Sequence, residues 1–120
     1  MTESSTASIP VIPVNDEFAV AAQLHSEQMK SAAAMGFRAI INTRPDGEAG
    51  PDQPSHASIQ AAAKAAGMEY VFIPIPPGTQ TEADIQEMRA ALKTLPRPML
   101  GFCRSGIRVK RLYDLARSPQ

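Results

Sequence analysis

The chain holds one cysteine, Cys103, and it stands where a thiol can react. It follows the apolar run Met99-Leu100-Gly101-Phe102 and opens the segment Cys103-Arg104-Ser105-Gly106-Ile107-Arg108. A free thiol has a pKa of about 8.5, so roughly 3% is thiolate at neutral pH, whereas a helix N-terminus and nearby cations bring it to about 3.5 to 7.5. The first turn of a following helix leaves its N–H groups unpaired and partly positive, which makes the amides of residues 104 to 108 a cradle for an anion. Ser105 and Gly106 keep that turn open. Gly106 can take a positive φ, and Arg108 can fork two hydrogen bonds onto an oxyanion. An isolated cysteine ending a buried strand is commonly a small core hydrophobe, but packing gains nothing from two arginines within five residues. The pattern points to Cys103 as a nucleophile, Arg108 as its clamp, and Arg104, Ser105, Gly106 and Ile107 as the rest of the cradle.

The elements that must position this loop can be read from pattern and punctuation. Phe18 to Ala22 reads as a first strand, followed by a helix with Ser26 as N-cap and Gly36 after its end. Phe37 to Asn42 is a buried-strand pattern that stops at Thr43-Arg44-Pro45-Asp46-Gly47-Glu48. Ser55 opens an alanine-rich helix to Ala66, closed by Gly67, and Tyr70 to Ile73 is a third strand ended by prolines 74, 76 and 77. Thr81, with Asp84 in the capping-box place, starts a helix from Glu82 to Leu95. Met99 to Phe102 is the strand before the cysteine, and a last helix runs from about Arg108 to Arg117. Short buried strands alternating with amphipathic helices predict an α/β fold, a small, mainly parallel sheet between two helical layers.

In such a sheet, ligands bind beyond the carboxyl ends of the strands. Three loops leave those ends: Thr43 to Glu48, Pro74 to Gln80 and Cys103 to Arg108. Arg44, Asp46 and Glu48 are therefore expected to face the cysteine loop across a sequence gap of more than fifty residues. A solvated turn with Asp46-Gly47 at its tip is the other reading of the first loop.

Length and composition bound the rest. With 120 residues the chain makes one domain, expected over residues 10–120 behind a Ser/Thr-rich tail at 1–9. Twelve basic and twelve acidic residues cancel, which argues against nucleic acid or an anionic membrane as partner and leaves a small anionic substrate. Oligomeric state is not legible. Positive charge gathers locally, with five basic residues and one acid between Arg104 and Arg117. One cysteine and two separated histidines, His25 and His56, do not compose a structural zinc site, and no cofactor motif is present. A lone cysteine suits a reducing compartment, and neither a signal pattern nor a spanning apolar run is seen, so a cytoplasmic location is expected.

Taken together, Ile40 to Glu48, Gln53-Pro54-Ser55, Ala66-Gly67-Met68-Glu69-Tyr70, Ile73-Pro74-Ile75 and Phe102 to Arg108 resemble the beta-lactamase hydrolase-like phosphatase family, of the DUF442 type. The resemblance covers most of residues 12 to 117 and implies a protein-tyrosine-phosphatase-like fold. The family has long been described as a domain of unknown function, and in part as sulfurtransferases. In tyrosine and dual-specificity phosphatases five residues separate the cysteine from the arginine, and an aspartic acid protonates the leaving group. Here four residues separate Cys103 from Arg108, as in the shorter loop of rhodanese-like sulfurtransferases, where the thiolate carries a sulfane sulfur as a persulfide. A shorter loop encloses less space, which suits one sulfur atom better than a phosphoryl group. The place of the phosphatase acid reads Pro74-Ile75-Pro76-Pro77-Gly78, and the motif leaves Asp46 as the substitute candidate. Where the family commonly shows Thr-Arg-Ser, this chain has Ile107-Arg108-Val109, which removes a hydroxyl that could assist the thiolate. The expected function is thus a sulfurtransferase using Cys103, with a phosphatase and a non-catalytic anion- or redox-sensing module as alternatives, and with Arg44 and Arg104 recruiting the anion.

Overall fold

The computed structural model describes residues 9–118. Five strands form one sheet in the order β1 (Ile12–Pro13), β2 (Phe18–Ala21), β5 (Met99–Phe102), β3 (Ala39–Asn42), β4 (Glu69–Phe72). Only the β1–β2 pair is antiparallel. The last strand in sequence therefore lies in the middle of the sheet. Its register aligns Phe102 with Ala21 on one side and with Asn42 on the other, and Asn42 in turn with Phe72. Four strand ends share one edge, so the loops after Ala21, Asn42 and Phe72 converge on Cys103.

Strand alternation sends successive side chains to opposite faces and builds two cores. Ala19, Ala21, Ile40, Leu100 and Phe102 pack under α1 (Met29–Ala34) and α2 (His56–Ala65). Phe18, Val20, Ala39, Ile41 and Met99 pack with Cys103 under α3 (Glu82–Thr94) and α4 (Ile107–Arg117). The result is the expected three-layer α/β/α fold. Gly101 occupies the position of β5 that faces α4. A Cβ there would lie 2.7 Å from Val109 Cγ2 and 3.0 Å from Phe18 Cζ. The missing side chain lets α4 settle onto the sheet and brings its N-terminus beside the thiol.

The local signals set the element ends closely. Thr81 accepts from the Asp84 N–H at 3.2 Å while the Asp84 carboxylate accepts from the Thr81 N–H at 2.8 Å, so α3 begins on the predicted capping box. Before α1 the prediction shifts by one residue. His25, not Ser26, is the N-cap of a 3₁₀ turn over Ser26–Gln28, because the Gln28 side chain takes the His25 N–H at 2.8 Å. The edge strand β1 was not expected. The predicted tail lies outside the described residues except for Ile9, which is buried in the α1/α2 core. Among the described residues, no helix is long and apolar enough to cross a membrane.

Candidate active site

The cysteine loop is a strand-to-helix turn with its sulfur turned inward. Cys103 is 1% exposed, and its Sγ accepts the Gly106 N–H at 3.1 Å. Gly106 is the N-cap of α4 at φ 94°, a left-handed conformation that costs an L-residue about 1–2 kcal/mol. There is room for a methyl group at this position, whose nearest neighbour would be the Ala21 carbonyl oxygen at 3.4 Å. Glycine is thus required by the backbone twist that aims its N–H at sulfur, rather than by crowding. The amides of Arg104, Ser105 and Arg108 have no acceptor among the described residues, which is the unpaired donor set of a cradle. Val109, where a hydroxyl was expected, is fully buried in the same core as Cys103.

Arg108 is held by residues from two other loops. Its Nη1 donates to Glu48 Oε2 at 3.0 Å and to the Ile75 carbonyl at 3.0 Å, and its Nη2 donates to Glu48 Oε1 at 3.1 Å. The end of the guanidinium is therefore occupied. Of its five donors, Nε–H and the second Nη2–H remain, side by side, as a fork that an oxyanion can fill. Glu48 also accepts from Arg44 Nε at 2.8 Å, and Arg44 Nη1 donates to Gln23 Oε1 at 3.0 Å. The Gln23 N–H donates to the Arg104 carbonyl at 3.3 Å. A continuous chain of contacts thus leaves the cysteine loop at Arg108 and returns to it at Arg104.

This arrangement decides the charge of the site. Burial raises the Glu48 pKa, but the hydrogen bonds and charges of Arg108 and Arg44 outweigh it and hold the carboxyl below its ordinary value. Glu48 is ionised at neutral pH. Beside it lies a hollow of about 310 Å³ lined by Arg44, Glu48, Ala49, Pro77, Arg104 and Arg108, three guanidinium groups against one carboxylate. Such a lining favours an anion.

Of the residues expected from sequence, the structure brings Arg44, Arg104 and Arg108 together around this hollow beside the cysteine loop. Asp46 is placed differently. Its Oδ1 accepts the His56 N–H at 2.7 Å, so it caps α2 together with Ser55, and it does not line the hollow. The acid that meets the cysteine loop is Glu48, two residues on. Sequence reading placed Glu48 in the right turn without giving it this part, and it missed Gln23. The available signal was the position of Gln23, just past the end of a strand parallel to β5. Asn42 completes the support: its Oδ1 accepts the Arg44 N–H at 2.9 Å and its Nδ2 donates to the Tyr70 hydroxyl at 3.1 Å.

A strand-ending thiol, a helix N-terminus and an arginine clamped by a distant glutamate invite comparison with known proteins. Residues 11–119 match the family described as beta-lactamase hydrolase-like protein, phosphatase-like domain. The chain belongs to that family. Beta-lactamase hydrolase-like proteins of Xylella fastidiosa (strain Temecula1) and Agrobacterium fabrum are 40% and 39% identical to it over 106 and 104 residues, covering 88% and 87% of this chain. The domain spans only 24% of the length of either relative. Among solved structures, a protein of Neisseria meningitidis provisionally designated a phosphatase superposes with a TM-score of 0.77 at 25% identity, covering 85% of this chain and 72% of its own. A structure of Tk-PTP in its active form shares the fold, with a TM-score of 0.57 at 13% identity over 89% of this chain and 82% of its own. The expected phosphatase-like α/β fold and the family resemblance both hold.

Proposed function

We propose that this phosphatase-like domain is a persulfide-forming sulfurtransferase with Cys103 as sulfur carrier. The observation that carries the reading is the state of Glu48. It is the one carboxylate lining the hollow, and two arginines keep it ionised, so it cannot hand a proton to a leaving group. Phosphoester cleavage with a poor leaving group needs that proton. Sulfane-sulfur transfer does not. The Cys103 thiolate attacks the outer sulfur of thiosulfate, a new S–S bond forms, the donor S–S bond breaks, and its electron pair leaves with sulfite. A thiolate acceptor or cyanide then attacks the outer sulfur of the persulfide and returns Cys103 as thiolate. The Gly106 N–H supports negative charge on sulfur. The open fork of Arg108 and the free amides of residues 104, 105 and 108 bind the oxygens of the donor, and Arg104 and Arg44 draw it in.

Mass spectrometry of the protein after incubation with thiosulfate or a glutathione persulfide tests this reading. One added sulfur on Cys103, removable by cyanide, is expected. A thiol that alkylates readily yet gains no sulfur from either donor would overturn it. The second reading, a phosphatase forming a phosphocysteine, draws on the fold and on the Arg108 fork, which fits phosphate oxygens equally well. Turnover of an aryl phosphate that is abolished by Cys103→Ser would put it first.

A further inference from the structure

The far side of the cysteine loop opens into a second and larger depression that neither a thiol nor a small anion needs. It has a volume of about 600 Å³ and runs between β1 with its following residue Val14 and the outward face of α4. Ile12 on one wall is 66% exposed and Ile107 on the other is 75% exposed, two of the three large apolar side chains that the described residues leave in water. Single exposed hydrophobes are ordinary, but two lining one depression that borders a reactive loop are not scattered. Val20 floors the trough and Ser105 and Gly106 border it, so it is continuous with the cradle.

Its lining carries a net positive charge, Lys110 and Arg111 against Asp114. Lys110 is tied to Asp114 at 2.7 Å, which neutralises the carboxylate of the trough. Arg111, one turn after Ile107 on the same helix, lines the trough, is exposed and has no side-chain partner among the described residues. Ile107 thus shares the trough with one unpaired guanidinium group. A membrane would meet a convex basic and apolar face, whereas these apolar side chains line a depression.

We infer that this trough docks an acidic protein segment carrying an apolar anchor residue and presents that segment to the cysteine loop. The anchor packs against Ile12 and Ile107, and a flanking carboxylate pairs with Arg111. The inference concerns recognition and stands whichever group Cys103 transfers.

Selection from a displayed library of random heptapeptides against the Cys103→Ser protein, followed by fluorescence anisotropy of the selected peptides, tests it without any turnover. The enriched peptides are expected to combine acidic residues with leucine, isoleucine or phenylalanine. Their affinity is expected to fall at least fivefold in Ile12→Ser and in Arg111→Glu, two surface variants checked for unchanged circular dichroism. Resonances of Ile12, Val14, Lys110 and Arg111 are expected to shift on binding. Enrichment of basic or uncharged peptides, no enrichment, or binding that survives both substitutions would overturn the proposal. So would binding to phosphatidylglycerol vesicles in preference to the selected peptides. Sulfur loading of Cys103 is measured separately on the wild-type chain, so failure of the docking surface and failure of the sulfurtransferase reading give different results.

Discussion

Arg108 and Glu48 stand sixty residues apart and meet through a two-pronged ion pair, Nη1 to Oε2 at 3.0 Å and Nη2 to Oε1 at 3.1 Å. Their side chains are 12% and 18% exposed, so water screens the pair little. The pair fixes which edge of the guanidinium is occupied and which is left open. Without it, the Ile75 carbonyl would be the one remaining partner of the guanidinium among the described residues, and the open fork would lose its direction.

Replacing Glu48 by Gln therefore removes more than one charge. Arg108 and Arg44 would be left close together without their shared counter-ion, and breaking a buried pair in this way costs about 3 kcal/mol. Thermal unfolding is expected to show a loss of that order. The rate of persulfide formation on Cys103 is expected to drop roughly ten- to a hundredfold, the effect of a misaligned binding group. A variant with wild-type stability and rate would show that the pair positions nothing.

The same pair sets an acid limit to stability. The folded-state pKa of Glu48 lies below its ordinary value, so folding is favoured by its ionisation. That contribution is complete above the unfolded carboxylate pKa of about 4.3 and is lost as pH falls through the lower folded value. The midpoint of thermal unfolding, followed from neutral pH downwards, is expected to fall more steeply in the wild type than in Glu48→Gln. Parallel curves would mean that Glu48 does not carry the linkage.

Much of this was open to a reader of the sequence because the signals were local. The Thr81/Asp84 capping box and the prolines at 96 and 98 before Met99 mark element ends within a few residues. The convergence of the loops followed from parallel strands alone, since their carboxyl ends must share an edge. Partnership within that edge was not local. Which of Asp46 and Glu48 would turn to the cysteine loop depended on α2: its first N–H at His56 captures Asp46, and that leaves Glu48 for Arg108. The strand β1 is two residues long and exists only because Ile12 and Pro13 find β2 beside them. No periodicity can announce a strand that short.

Gly101 and Val109 give a prediction about packing. A methyl at residue 101 would come within 2.7 Å of Val109 Cγ2 and 3.0 Å of Phe18 Cζ. Val109 is β-branched in a helix and has little rotamer freedom, while Phe18 is stacked on Tyr113 with ring centroids 4.0 Å apart. Neither can move aside without disturbing a packed core. Gly101→Ala is expected to destabilise the domain by about 1–3 kcal/mol and to push the N-terminus of α4 away from the thiol. Adding Val109→Ala, which removes the obstructing methyl, should recover part of that loss, so the double variant is expected to be more stable than the sum of the single effects. Strict additivity in thermal unfolding would refute the proposed contact.

Asp46 offers the sharpest separation of the two reaction classes. Its carboxylate accepts the first N–H of α2 at 2.7 Å, and removing a helix cap costs about 1 kcal/mol. Asp46→Ala is expected to lower stability by that amount and to leave the rate of sulfur loading on Cys103 within about twofold, since sulfur transfer calls for no proton donor. Asp46→Asn retains an acceptor oxygen for the His56 N–H, so it should keep most of the stability while removing the acid. If Asp46 protonated a leaving group, both variants would depress turnover of an aryl phosphate equally, and Asn would not rescue it. If it is only a cap, any activity the domain has should follow stability across the two variants, with Asn close to wild type and Ala below it. A rate that falls in Asp46→Asn without a fall in stability would return Asp46 to the reaction and favour phosphorus over sulfur.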